Sequence, residues 1–205
     1  MPKTNKSQEL VSNDILIAEF EYISKTASDA NDDRERITNF YNQLFTVSTL
    51  AAGFFISNKT TTDILLANNR VEISLVLSAL FFSLTFIVLS NLGRLARARA
   101  AWQESIEAMN QIKDLYIKRD RSIEPGFKWL YSSIPPKDKP FSIANFLSLE
   151  ISILGSLTTA SSIYFLLYAF NSADTSIGLA LVFLGFFIAF IMFWRWYKRL
   201  LVNEK

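Results

Sequence analysis

The sequence predicts an all-α polytopic membrane protein with four transmembrane helices in two hairpins and a cytoplasmic antiparallel helical stalk. Three observations carry that expectation. Half of the 205 residues are apolar and 18 are phenylalanine, unlike a typical soluble domain. Residues 40–57, 72–92, 146–170 and 177–194 approach or reach the ~20 apolar residues that a helix needs to cross hydrocarbon. Two charged stretches next to the first pair keep apolar residues at helical spacing. Cysteine and histidine are both absent, which removes disulfides, thiol nucleophiles, imidazole bases and zinc sites of the usual kind. Most enzyme chemistry goes with them, so no enzyme activity, metal or cofactor is expected.

Residues 1–14, "MPKTNKSQELVSND", are polar and contain no short apolar core with a cleavage site, so they read as a flexible N-terminus without a removable signal. A helix follows over residues 15–40. Leu16, Phe20, Ile23, Ala27, Ala30, Arg34, Ile37, Tyr41 and Leu44 recur at alternating steps of four and three, the pattern of one packed, coiled-coil-like face. No proline or glycine lies between Leu16 and Leu44, so the helix is expected to run unbroken into the first span. Arg34 alone breaks the apolar series. A buried guanidinium there needs an acidic or phosphate partner, unless it snorkels out of the seam.

Around Arg34 the stretch "SDANDDRERITNFY" concentrates acids. Counting equal distances from the bilayer sets Asp32, Asp33 and Glu35 level with Arg97 and Arg99, which predicts charge pairing between neighbouring helices. Asp29, Asn31 and Asp33 have the first spacings of a calcium loop, but Arg34 occupies its glycine position and Phe40 its final glutamate position, which excludes that reading.

The first span, 40–57, is the weakest because Asn42, Gln43, Thr46, Ser48 and Thr49 interrupt it; a buried helix of a soluble domain is the competing reading. The second, 72–92, contains the uncharged run "ISLVLSALFFSLTFIVLSNL" and flows into a stalk helix over 93–119. There Leu95, Trp102, Ile106, Met109, Ile112 and Tyr116 form a stripe of helical spacing. Each extension of about 25 residues would project about 38 Å. Residues 120–141 break the helix with Pro125-Gly126 and Pro135-Pro136. This strap carries Phe127, Trp129, Tyr131 and Phe141, which either pack on the stalk and the interface or, beside Lys113, Lys118, Arg119, Arg121 and Lys128, offer aromatic faces and cations to bases and phosphates.

In the third span, 146–170, Ser148, Ser152, Ser156 and Thr159 share a face, which suits close helix packing or the lining of a narrow water path. Glu150 points nearly the opposite way, placed to form a ring in an oligomer or to pair with Arg195 or Lys198. In the fourth span, 177–194, Gly178 and Gly185 suit packing, while Phe183, Phe186, Phe187, Phe190 and Phe193 are expected toward lipid. The tail 195–205 follows.

Lys and Arg set the orientation, because short loops rich in them stay in the cytoplasm. Residues 1–40, 93–141 and 195–205 hold 19 of them against two in 58–72 and none in 171–176, which predicts both termini on the cytoplasmic side. The ending "FWRWYKRLL" places Trp194, Trp196 and Tyr197 beside cations that suit anionic headgroups.

Together, "ASDANDDRERITNFY" before the first span, "MNQIKDLYIKR" on the stalk and "FKWLYSSIPPKDKPFS" before the third resemble a family of small bacterial four-span proteins over nearly the whole chain. Similar proteins are effectors of antiphage systems, including nucleotide-signalled ones and the Hailong type, in which a nucleotidyltransferase partner controls an oligomeric channel. The resemblance implies an inner-membrane effector that permeabilises or depolarises the membrane on infection. The chain departs from nucleotide-signalled effectors in having no separate sensor domain. The leading expectation is a homo-oligomeric ion channel controlled through its stalk and strap, with a nucleotide or oligonucleotide held by Arg34, Arg94, Arg97, Arg99, Lys118, Arg119, Arg121 or Trp129. The competing one is a non-conducting anchor whose stalk recruits a soluble partner protein.

Overall fold

The computed structural model describes residues 6–57, 59–127, 130, 134, 136 and 139–203. They are helical in four long elements: α1 Lys6–Ser57, α2 Lys59–Arg119, α3 Ile143–Ala169 and α4 Ser176–Asn203, with a 3-10 helix at Arg121–Gly126. No strand occurs among the described residues.

Four boundaries differ from the sequence expectation. Helix α1 begins at Lys6, inside the stretch expected to be a flexible tail, and α2 begins at Lys59, so the expected outer loop is helical from there on. Neither segment contains proline or glycine to stop a helix. Helix α3 starts at Ile143 because Ser142 caps it, its hydroxyl accepting a hydrogen bond from the Asn145 N–H at 3.3 Å. Helix α4 continues through the basic tail to Asn203.

Among the described residues, three stretches are long and apolar enough to cross a membrane, within Arg70–Arg119, Ile143–Ala169 and Ser176–Val202. Residues 40–57, expected as a fourth, are not among them. The amides and hydroxyls already counted against that segment lower its apolar character.

The chain divides into two compact units, to both of which α1 and α2 contribute. Unit 1 comprises Met1–Arg34 and Arg97–Lys139. In it Ile23 and Ala27 of α1 pack with Met109 of α2, flanked by Phe20, Trp102, Ile106 and Ile112. Arg119 donates to Asn13 at 3.4 Å at the other end of the pair, so the helices run antiparallel. Ile23, Ala27 and Ala30, three of the residues at the four-and-three spacing, are buried here, and Ile37 and Tyr41 are buried in unit 2.

Unit 2 comprises Glu35–Ala96 and Pro140–Lys205. Its main cluster joins Tyr41, Val88, Leu92, Leu95, Ile151, Phe193 and Tyr197, drawn from all four helices. Phe193, expected toward lipid, is fully buried there, because the α4 face that carries it also carries Ala189 and Tyr197 against α3. A second cluster joins Phe81, Leu84 and Phe165, with Leu44 against it. Helices α3 and α4 pack antiparallel: Tyr197 donates to the Ala144 carbonyl at 3.4 Å, and the turn after Ala169 closes the other end with Asn171 in the left-handed region at φ 57°.

Candidate functional site

The serine face of α3 looks inward. Ser148, Ser152 and Ser156 are fully buried within the single chain, and Thr159 is partly buried. Their hydroxyls are satisfied by their own helix: Ser148 donates to the Asn145 carbonyl, Ser152 to Ser148, Ser156 to Ser152 and Thr159 to Gly155, at 2.6 to 2.9 Å. Helix α2 lies close alongside α3. Ser78 and Ser162 exchange hydroxyl-to-carbonyl bonds at 2.9 and 3.0 Å, and Thr85 lies 3.3 Å from the hydroxyls of both Thr158 and Thr159. At Gly155 a Cβ would lie 2.6 and 2.8 Å from the Val88 methyls, so glycine is what lets the two helices approach here.

Glu150 is exposed on the opposite face, and its partner is neither Arg195 nor Lys198. Asn42 of α1 donates to its Oε1 at 2.9 Å. Lys198 bonds Asn145 at 3.2 Å instead and lies 5.2 Å over the Trp194 ring. Because a carboxylate only accepts, the Asn42 amide is oriented with its nitrogen to Glu150, which leaves its Oδ1 buried without a hydrogen-bond donor. Beside this pair a shallow cleft of about 340 Å³ is lined by Asn39, Asn42, Gln43, Thr46 and Val47.

The cations proposed for an anionic ligand fall in separate places. Arg94, in unit 2, is exposed. In unit 1, Arg97 is exposed, while Arg99 is buried, its guanidinium 4.6 Å over the Trp102 ring. Arg34 is half-buried and donates to Asn31 on its own helix. Lys118, Arg119 and Arg121 are exposed near the C-terminus of α2, about 28 Å along the helix axis from Arg99. A single nucleotide reaches one of these groups and not both. Trp129 and Lys128 lie outside the described residues. Asp32 and Asp33 are exposed, and one face of the Arg99 guanidinium lies over Trp102.

Several polar residues carry structural weight that the sequence did not mark. Gln103 and Asn110 are buried in unit 1, where Gln103 donates to Glu107 at 3.0 Å and Asn110 accepts from Lys113 at 3.1 Å. In unit 2, Arg70 donates to the Tyr168 carbonyl at 2.9 Å and lies 4.1 Å over its ring. An apolar spacing search passes over such residues, since they interrupt the period it looks for. Outside unit 2, Asp120 caps the 3-10 helix, accepting from the Ser122 N–H at 2.9 Å and its hydroxyl at 2.7 Å, which holds its carboxyl below the ordinary range. Among the described residues, no group of three or more Asp, Glu, His or Cys side chains is placed to hold a metal ion.

No family model, curated protein or solved structure matches this chain.

Proposed function

We propose that the chain is an oligomeric effector of the bacterial inner membrane that crosses it four times, in two hairpins with both termini cytoplasmic, and conducts ions under control of unit 1. The observation that carries this reading is the Asn42–Glu150 pair, an exposed carboxylate held by a half-buried amide within two segments read as membrane spans. Ionisable groups within a span mark ion pathways more often than structure, and Glu150 lies near the entrance of the third. Control from unit 1 is supported by α1 and α2, each of which contributes to both units. Exposed Lys118, Arg119 and Arg121 suit an anionic regulator such as an oligonucleotide. The role in antiphage defence rests on the resemblance to small four-span effectors alone.

Ion flux from liposomes carrying purified protein, with and without oligonucleotides, tests the proposal. Flux that changes with the oligonucleotide is the expected result; vesicles that stay tight under every condition would refute conduction. In that case, a non-conducting anchor would be read from co-purification of a soluble partner that is lost when the exposed face of unit 1 is substituted.

A further inference from the structure

The basic ending of α4 divides into two sets. Tyr197 is buried and donates to the Ala144 carbonyl, and Lys198 donates to Asn145, so these two fasten α4 to α3. Arg195, Trp196 and Arg199 are exposed. Neither arginine has a hydrogen bond or an ion pair among the described residues, and α4 contains no acidic residue to supply one. One to two turns earlier on the helix, Ile188, Ile191 and Met192 are also exposed, and together the six residues line an open groove of about 410 Å³.

Their order along the helix matches a lipid and not a soluble anion. No charged residue occurs from Ser176 to Trp194, so Arg195 is the first cation at the end of the apolar run, where headgroups begin. Arg195 and Arg199 stand one turn apart, about 6 Å along the axis, and two planar guanidinium forks at that spacing suit one phosphate. From Arg199 to Ile188 the groove extends about 16 Å, close to half of the ~30 Å hydrocarbon core. A free phosphate engages the arginines and leaves the apolar part empty. An acyl chain fills it.

A second observation points the same way. Because Tyr197 and Lys198 meet Ala144 and Asn145, the start of α3 lies at the same level. There Phe141 takes a left-handed backbone at φ 60°, which a bulky residue rarely adopts, and it is 83% exposed. Ile143 and Phe146 are exposed as well, with the Phe141 and Phe146 rings 6.3 Å apart. A rim in water gains nothing from holding apolar rings outward, whereas a rim at the acyl boundary buries them.

We propose that the groove over residues 188–199 holds one anionic phospholipid, its phosphate between Arg195 and Arg199 and an acyl chain along Ile188, Ile191 and Met192. This rests on the membrane reading of α4 and not on conduction.

The full chain in neutral detergent is titrated with phosphatidylglycerol and with phosphatidylcholine of the same acyl chains, and native mass spectrometry counts the lipids retained. One phosphatidylglycerol per copy is expected, held about tenfold or more tighter than phosphatidylcholine, whose own cation answers its phosphate. Arg195→Gln and Arg199→Gln together should abolish that preference, while Lys198→Gln, which removes a charge at the same level, should keep it. Thermal midpoints check the fold: without lipid the double variant should match the parent, and phosphatidylglycerol should raise the midpoint of the parent alone. An unchanged preference in the double variant would overturn the proposal, as would an equal loss in Lys198→Gln, which would mean diffuse charge attraction. Displacement of the lipid by glycerol phosphate at equal concentration would make the groove a site for soluble anions and overturn it too. Copies that separate in the double variant while lipid retention persists would assign the groove to a second copy instead. Selective retention by a protein whose vesicles never conduct removes the channel and keeps the lipid site. Conducting vesicles without lipid preference do the reverse.

Discussion

Two polar faces meet the apolar environment of unit 2 in opposite ways. On α3, Ser148, Ser152 and Ser156 are buried against the rest of the chain and bonded to their own helix. On α1, Asn39, Gln43 and Thr46 are exposed, and beside them Asn42 spends its nitrogen on Glu150 and leaves its oxygen unmet. The difference is chemical before it is positional. A serine hydroxyl reaches the carbonyl four residues back and becomes, in effect, a small apolar surface. An asparagine or glutamine amide has two donors and an acceptor that its own helix cannot absorb, so it must be answered from outside. Polarity in a membrane helix therefore reads as packing when the side chain is short, and as a demand for a partner when it is long.

The strongest way to break the comparison is to spoil the buried face. Gly155→Leu forces a side chain into the Val88 methyls, already 2.6 Å from a single added Cβ, and is expected to destabilise the protein by about 1–3 kcal/mol, read as a lower midpoint of thermal unfolding in detergent. Gln43→Leu addresses the exposed face. It should leave that midpoint unchanged but weaken association of copies by about 1 kcal/mol, read by mass photometry across a concentration series; an unchanged dissociation would mean the amide faces lipid. Ser78→Ala removes one side of the paired bonds to Ser162, for which about 0.6 kcal/mol is expected in the same unfolding measurement.

The smallest effect is at Asp120, a carboxylate answered locally. Its folded value is depressed, so the stability it contributes is present at neutral pH and disappears as pH falls through that lowered value. Amide exchange in residues 121–126 should therefore rise only under acid, and Asp120→Asn should flatten that rise.

The seam of α1 was readable because its partners share one helix face at a regular period, and Ile23, Ala27, Ala30, Ile37 and Tyr41 are all buried as that period implies. The Asn42–Glu150 contact was not readable, since 108 positions separate the two residues and nothing local to either names the other. Arg99 shows a subtler limit: charge counting looked only for acids, and its flat guanidinium also lies over the Trp102 ring three residues on. Helix ends were missed where polar composition looked like a loop yet held no breaker, at Lys6 and at Lys59.

The antiparallel pair of α3 and α4 has a consequence for how the chain enters a bilayer. The short turn at Asn171 joins the pair at one end, and Tyr197 and Lys198 fasten it to Ala144 and Asn145 at the other. Helices α3 and α4 are each apolar enough to cross a membrane, and α4 is the more hydropathic of the two. In a bilayer the two would enter as one hairpin, with the serine face of α3 already covered by the rest of the chain.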